Sequence, residues 1–120
     1  PQVNVDLGTK SEKIDDAGNF EVVLTITITA KVEEETAFLI EVQQAGIFFI
    51  TGFGEDDLRR IAGTTAPNIL FPYARECIDT LAVKGGFPPV MLAPINFDAM
   101  YQQALAQSQN APAAGEPATH

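Results

Sequence analysis

The sequence predicts an antiparallel β-sheet followed by helices, with long strands in the first half of the chain and short helices in the second. Three observations carry this. Apolar and polar residues alternate with a period of two up to about residue 50, the mark of strands with one buried face. Beyond Gly52 and Gly54 the apolar spacing lengthens to that of helices, and clusters of Gly, Pro or acidic residues punctuate each change of period. The 120 residues suit a single domain, and 46% hydrophobic against 19% charged residues is the composition of a folded chain.

Val3, Val5 and Leu7 alternate with Asn4 and Asp6 as a first strand, which Gly8 and the polar stretch through Asp15, Asp16, Gly18 and Asn19 are expected to end. Because Pro1 is not a methionine and Val3 already belongs to a strand, a further N-terminal segment is expected ahead of it. From Phe20 the alternation resumes: Val22, Leu24, Ile26, Ile28, Ala30 and Val32 point one way, Glu21, Thr25, Thr27, Thr29 and Lys31 the other. Glu33, Glu34 and Glu35 interrupt, and another β-rich run spans Thr36 to Ile50, so the two strands are expected to pair as a hairpin about an acidic turn. A strand of some 14 residues at about 3.3 Å each reaches roughly 45 Å, well beyond the usual length of about 5–6 residues. Three short helices cannot cover such a sheet, so another chain is expected on some of its surface.

Glu55 to Ala62 reads as a helix with acidic residues in its first turn and Glu55/Arg59 and Asp56/Arg60 as i,i+4 pairs. Gly63 stops it. Pro67 fits a first helical position, Leu70, Tyr73, Cys77 and Leu81 follow at helical spacing, and Pro72 is expected to bend the helix before Gly85 and Gly86 end it. Phe87 to Pro94 contains three prolines and is expected to be an ordered apolar connection. Asn96 caps a last helix, with Ile95 and Met100 as a hydrophobic staple and Phe97, Tyr101 and Leu105 along one stripe. After Ala106 the periodicity stops, so residues 1–106 are read as the domain and 107–120 as a flexible tail.

Sixteen acidic against seven basic residues give a net charge of −9, which repels nucleic acid and anionic bilayers and favours basic partners. No apolar run approaches the ~20 residues of a membrane span. A single cysteine, Cys77, excludes an internal disulfide and fits a reducing cytoplasm. His120 is the only histidine and ends the chain, so no Ser-His-Asp, Cys-His or multi-histidine metal site assembles within one copy. Cys77 is read as a small core residue on its helix. The carboxylate clusters at 15–16, 33–35 and 56–57 diverge as solvated turns and helix starts and do not converge on a substrate. No phosphate-binding, calcium or zinc motif is present, and no cofactor or catalytic residue is assigned. What stands out is apolar: Phe48 and Phe49 must put one ring on each face of their strand, so at least one face is sticky.

Residues 34–48 (EETAFLIEVQQAGIF), 67–78 (PNILFPYARECI) and 92–99 (LAPINFDA) resemble, in order and nearly without gaps, the SecB family of bacterial protein-export chaperones. The resemblance spans most of residues 1–106. It implies an α+β subunit with a four-stranded antiparallel sheet, of which three strands are readable here, and helices packed on one face. The family's first strand would then lie in the expected preceding segment, together with two further acidic docking positions. It also implies a cytoplasmic, ATP-independent holdase, a homotetramer built as a dimer of dimers, that binds unfolded precursor polypeptides and passes them to the SecA export motor.

Matching the family residue by residue implies motor docking at Leu39 and Glu41 and subunit-interface positions at Ile40, Val42 and Gln44. The alternation independently sends these two sets to opposite faces. Client binding is expected at Val3, Val5 and Leu7 on the strand, at Val90, Leu92 and Ile95 in the proline-rich connection, and at Phe97, Met100 and Tyr101 on the last helix. Acidic surroundings are expected to favour positively charged clients. The alternative is an oligomeric interaction module that binds one folded partner through the Leu39/Glu41 face; an enzyme using Cys77 ranks below both.

Overall fold

Three strands, β1 (Gln2–Lys13), β2 (Asn19–Val32) and β3 (Glu35–Phe49), precede three helices, α1 (Glu55–Gly63), α2 (Thr65–Lys84) and α3 (Phe97–Asn110), in a computed structural model that describes residues 2–110. The strands form one antiparallel sheet in the order β1-β2-β3. Its long dimension agrees with the strand lengths, since the molecule measures 47 × 36 × 20 Å.

The central strand shows why the sheet forms. Val22, Leu24, Ile26 and Ile28 are each 0% exposed on one face, while Thr25, Thr27 and Thr29 occupy the other, as β-branched residues do on a pleated, half-buried surface. Helix α2 packs on β3 and β2, joining Leu70, Phe71, Ala74 and Ile78 to the same cluster as Ile40 and Val42.

Several boundaries differ from expectation. Strand β1 runs past Gly8 to Lys13 because Thr9–Lys13 pair in register with Phe20–Leu24, and backbone bonding overrides the polar side chains there. Asp15 closes the following turn, accepting bonds from the Ala17 and Asn19 amides and the Asn19 side chain. Asn19 thereby holds its carboxyl below the usual range. Helix α3 continues through Asn110, beyond residue 106, and the rest of the expected tail lies outside the described residues. The ion pairs of α1 are i,i+3, Arg59 with Asp56 at 3.4 Å and Arg60 with Asp57 at 3.3 Å. Pro67 is the third residue of α2, still within the first turn whose amides lack helical partners.

The buried side of α2 also differs. Ala66, Leu70, Ala74, Ile78 and Ala82 face the sheet, whereas Tyr73 (61% exposed), Leu81 (44%) and Cys77 face outward. The core reading of Cys77 is therefore corrected. Alanines let the helix lie close to the strands, and counting only large residues puts the stripe one face away.

The β2–β3 turn holds Glu33 (φ 53°) and Glu34 (φ 73°) in the left-handed region, the twin positive φ of a tight hairpin that Asn-Gly normally supplies. An extra residue, Ala37, bulges just beyond it, because Ala30 pairs with Phe38 and Lys31 with Thr36. Each left-handed residue with a Cβ costs roughly 1–2 kcal/mol. Replacing Glu33 and Glu34 by Asn and Gly should raise the unfolding free energy by about 1–2 kcal/mol, read from the urea midpoint at fixed protein concentration. An unchanged or lower midpoint would contradict the turn geometry.

Candidate functional site

Helix α2 covers β2 and β3 and leaves the corresponding side of β1 open. Val3, Val5 and Leu7 pair with Ala30, Ile28 and Ile26 and so share the helix side of the sheet. Yet Val3 is 45% and Val5 39% exposed, while Leu7 is half-buried. An apolar row thus runs along β1, left uncovered by α2 and met by α1 near its Leu7 end.

A hollow lies at each end of this row. The first, about 330 Å³, is lined by Val3, Ala30, Phe38 and the connection Pro88–Ala93. Phe38, which lines it, packs against the Phe87 ring at a 48° tilt, centroids 4.6 Å apart. The second, about 360 Å³, is lined by Leu7, Ala62, Gly63, Phe97, Met100 and Tyr101 among others. Val3 and Leu7 are separated by roughly 13 Å of strand, so an extended segment could lie across both hollows.

The connection and α3 are held by local chemistry. Gly86 (φ 90°) permits the turn that ends α2, where the Gly86 amide donates to the Val83 carbonyl and the Phe87 amide to that of Ala82. This is the paired closure of a glycine-terminated helix. Asn96 caps α3 by accepting a 2.9 Å bond from the Ala99 amide. Phe97 is 4% exposed, its ring edge-on to Phe71 at 6.0 Å, which anchors the helix start in the core. Gly63 is needed where α1 meets α3: a Cβ there would lie 2.9 Å from the Tyr101 ring.

Most of the residues expected to contact clients are therefore brought together: Val3, Val90 and Leu92 in the first hollow, Leu7, Phe97, Met100 and Tyr101 in the second. Val5 lies between them. Ile95 lines a neighbouring, more polar recess with Thr64, Thr65 and Asn68. No carboxylate lines either hollow among the described residues, and Lys10 and Arg59 line the second. The sequence reading missed Phe38 and Met91. The parity of Phe38 with Ile40 was its available signal.

Leu39 and Glu41 lie on the opposite, open side of the sheet, where Leu39 is 60% exposed. Glu41 shares a row with Thr27 and Asp6, so two carboxylates flank a threonine beside an exposed leucine. Ile40 (8% exposed) and Val42 (7%) are buried beneath α2, with Gln44 half-buried on the same side. Within the chain these positions, expected at the subunit interface, are covered by its own helix, because the alternating apolar side of β3 fits the alanine-lined side of α2. Outward on α2, Ile69, Tyr73, Cys77 and Leu81 form an exposed stripe at i,i+4 spacing.

Among the described residues, no helix is long and apolar enough to cross a membrane and no cluster of potential metal ligands occurs.

The family model described as preprotein translocase subunit SecB matches residues 1–108. A protein-export protein SecB of Hahella chejuensis is 56% identical over the whole chain, which covers 76% of that protein. That of Methylococcus capsulatus is 54% identical over 94% of the chain and 74% of its own length, and that of Nitrosococcus oceani 52% identical over 95% and 69%. Among solved structures, the chain resembles a Mycobacterium tuberculosis SecB-like chaperone in complex with a ChAD peptide from an antitoxin. The TM-score is 0.56 at 22% identity, covering 80% of this chain and 75% of that one, a likeness of fold.

Proposed function

The chain belongs to the SecB family of protein-export chaperones, and from that premise we propose that it holds unfolded precursor polypeptides, without nucleotide, along the row of β1 that α2 leaves uncovered. The observation that carries this is the apolar row Val3–Val5–Leu7, with Val3 and Val5 exposed, between a hollow walled by Phe38 and the proline-rich connection and one where Phe97, Met100 and Tyr101 stand beside Lys10 and Arg59. An unfolded client buries its apolar side chains there at about 25 cal/mol per Å². Pliable Met91 and Met100 accept many sequences. The peptide carried by the mycobacterial SecB-like chaperone is consistent with such use.

Client transfer to the SecA motor is assigned to the other side of the sheet. Leu39, Glu41 and Asp6 offer an apolar contact beside two carboxylates, suited to a basic, partly apolar tail. Holding and docking then use opposite faces and do not compete. Assembly as a homotetramer, a dimer of dimers, is assigned to the outward stripe of α2. Ile40, Val42 and Gln44 act on assembly through the seat they give that helix. The setting is the cytoplasm, and the reading assigns binding and no catalytic step. A module that binds one folded partner is not favoured by membership of an export-chaperone family.

The test is suppression of aggregation of a refolding protein with no nucleotide present. The wild-type chain and Glu41→Lys should protect equally, while Glu41→Lys lowers affinity for a basic motor tail by at least about tenfold. Absence of protection by the wild type would contradict holding; parallel loss of both activities in Glu41→Lys would contradict the two-face assignment.

A further inference from the structure

The first hollow owes its shape to a segment with almost no bonding of its own. Pro88 and Pro89 have no amide hydrogens, and among the described residues the connection between Phe87 and Asn96 donates no backbone amide to a backbone carbonyl. Its ends are fixed by the Phe87 closure of α2 and by the buried Phe97. Its middle is tied at one point. Asp79, half-buried on α2, accepts with a single oxygen, Oδ1, from the Val90 amide and the Met91 amide, both at 3.0 Å.

Met91 sits at φ 57° with its side chain 75% exposed. For a residue with a Cβ this conformation is strained and persists only where its surroundings impose it. Successive amides converging on one carboxylate oxygen are a charge-assisted anchor of that kind. We infer that Asp79 is the positioning residue of the client groove: it pins Val90 and Met91, and so fixes the wall that Pro88–Ala93 present to Val3 and Phe38. The inference rests on the holding reading above.

The pin predicts separable effects. Asp79→Ala should speed hydrogen exchange at the Val90 and Met91 amides and raise the dissociation constant of an uncharged, Leu- and Phe-rich fluorescent peptide by roughly tenfold. Binding of a basic tail to the Leu39/Glu41 face should stay unchanged. Asp79→Asn keeps an acceptor oxygen without the charge and should fall between wild type and Asp79→Ala. In a Met91→Gly background the left-handed penalty is gone, so adding Asp79→Ala there should cost less affinity than it does in the wild-type chain. If Asp79→Ala is poorly folded, the Asp79→Asn comparison carries the test. Faster exchange with unchanged peptide affinity would overturn the inference, and so would unchanged exchange at both amides. Failure of the wild-type chain to bind the peptide would instead sink the holding reading, and this inference with it.

Discussion

Val5→Asp combined with Met100→Glu should weaken binding of an unfolded client by about tenfold or more, with little effect on folding. The two side chains stand at different parts of the groove, and each is only partly covered within the chain, at 39% and 37% exposure. Full burial of an exposed side chain of this kind is worth about 1.5–3 kcal/mol, so covering the part still open contributes about 0.5–1 kcal/mol at each site and roughly tenfold in affinity for the pair. Each new carboxylate also has to be desolvated under a bound apolar segment, which enlarges the effect. Because both positions already meet solvent, the unfolding midpoint should move little. Binding of a basic tail at Glu41, on the other face of the sheet, should not change. Equal client affinity in the double variant, measured by fluorescence anisotropy, would place clients elsewhere.

The largest stability loss is expected from Ile28→Ala, at about 2–5 kcal/mol. Ile28 is 0% exposed on the central strand, paired with Val5 on one side and Ile40 on the other, inside the cluster that α2 closes. Truncation removes apolar contacts and leaves a void that two flanking strands and a helix cannot all collapse upon. Urea unfolding at fixed concentration reads this directly, since association would otherwise add to the apparent stability. A loss below about 1 kcal/mol would mean that the seat of α2 is not tightly packed.

How much could be read in advance depended on whether side chains or backbone decided the outcome. The alternation in β2 and β3 was legible because each large apolar residue reports its own face, so the opposite orientation of Leu39 and Ile40 followed from parity alone. The extension of β1 through Lys13 was not, since ladder bonds to Phe20–Leu24 hold it and its polar side chains leave no apolar pattern. In α2 the sheet-facing residues are mainly alanines, which weigh little in any hydrophobic count but set the approach of helix to strand. That shifted Cys77 and Tyr73 outward. For the groove, the strand and helix positions were readable as apolar alternation and a capped stripe, whereas Asp79 was not. Its role depends on two amides brought to one carboxylate oxygen across a proline-rich segment, a meeting that no spacing encodes.

The central claim is that clients occupy the helix side of β1 while the open face of the sheet stays free for the motor. Side-chain protection mapped by methyl and aromatic NMR in the presence of an unfolded, uncharged client tests it most directly. The account predicts perturbation and solvent protection at Val3, Val5, Leu92, Met100 and Tyr101, with Leu39 unaffected. Protection concentrated at Leu39, with the β1 row unchanged, would contradict it.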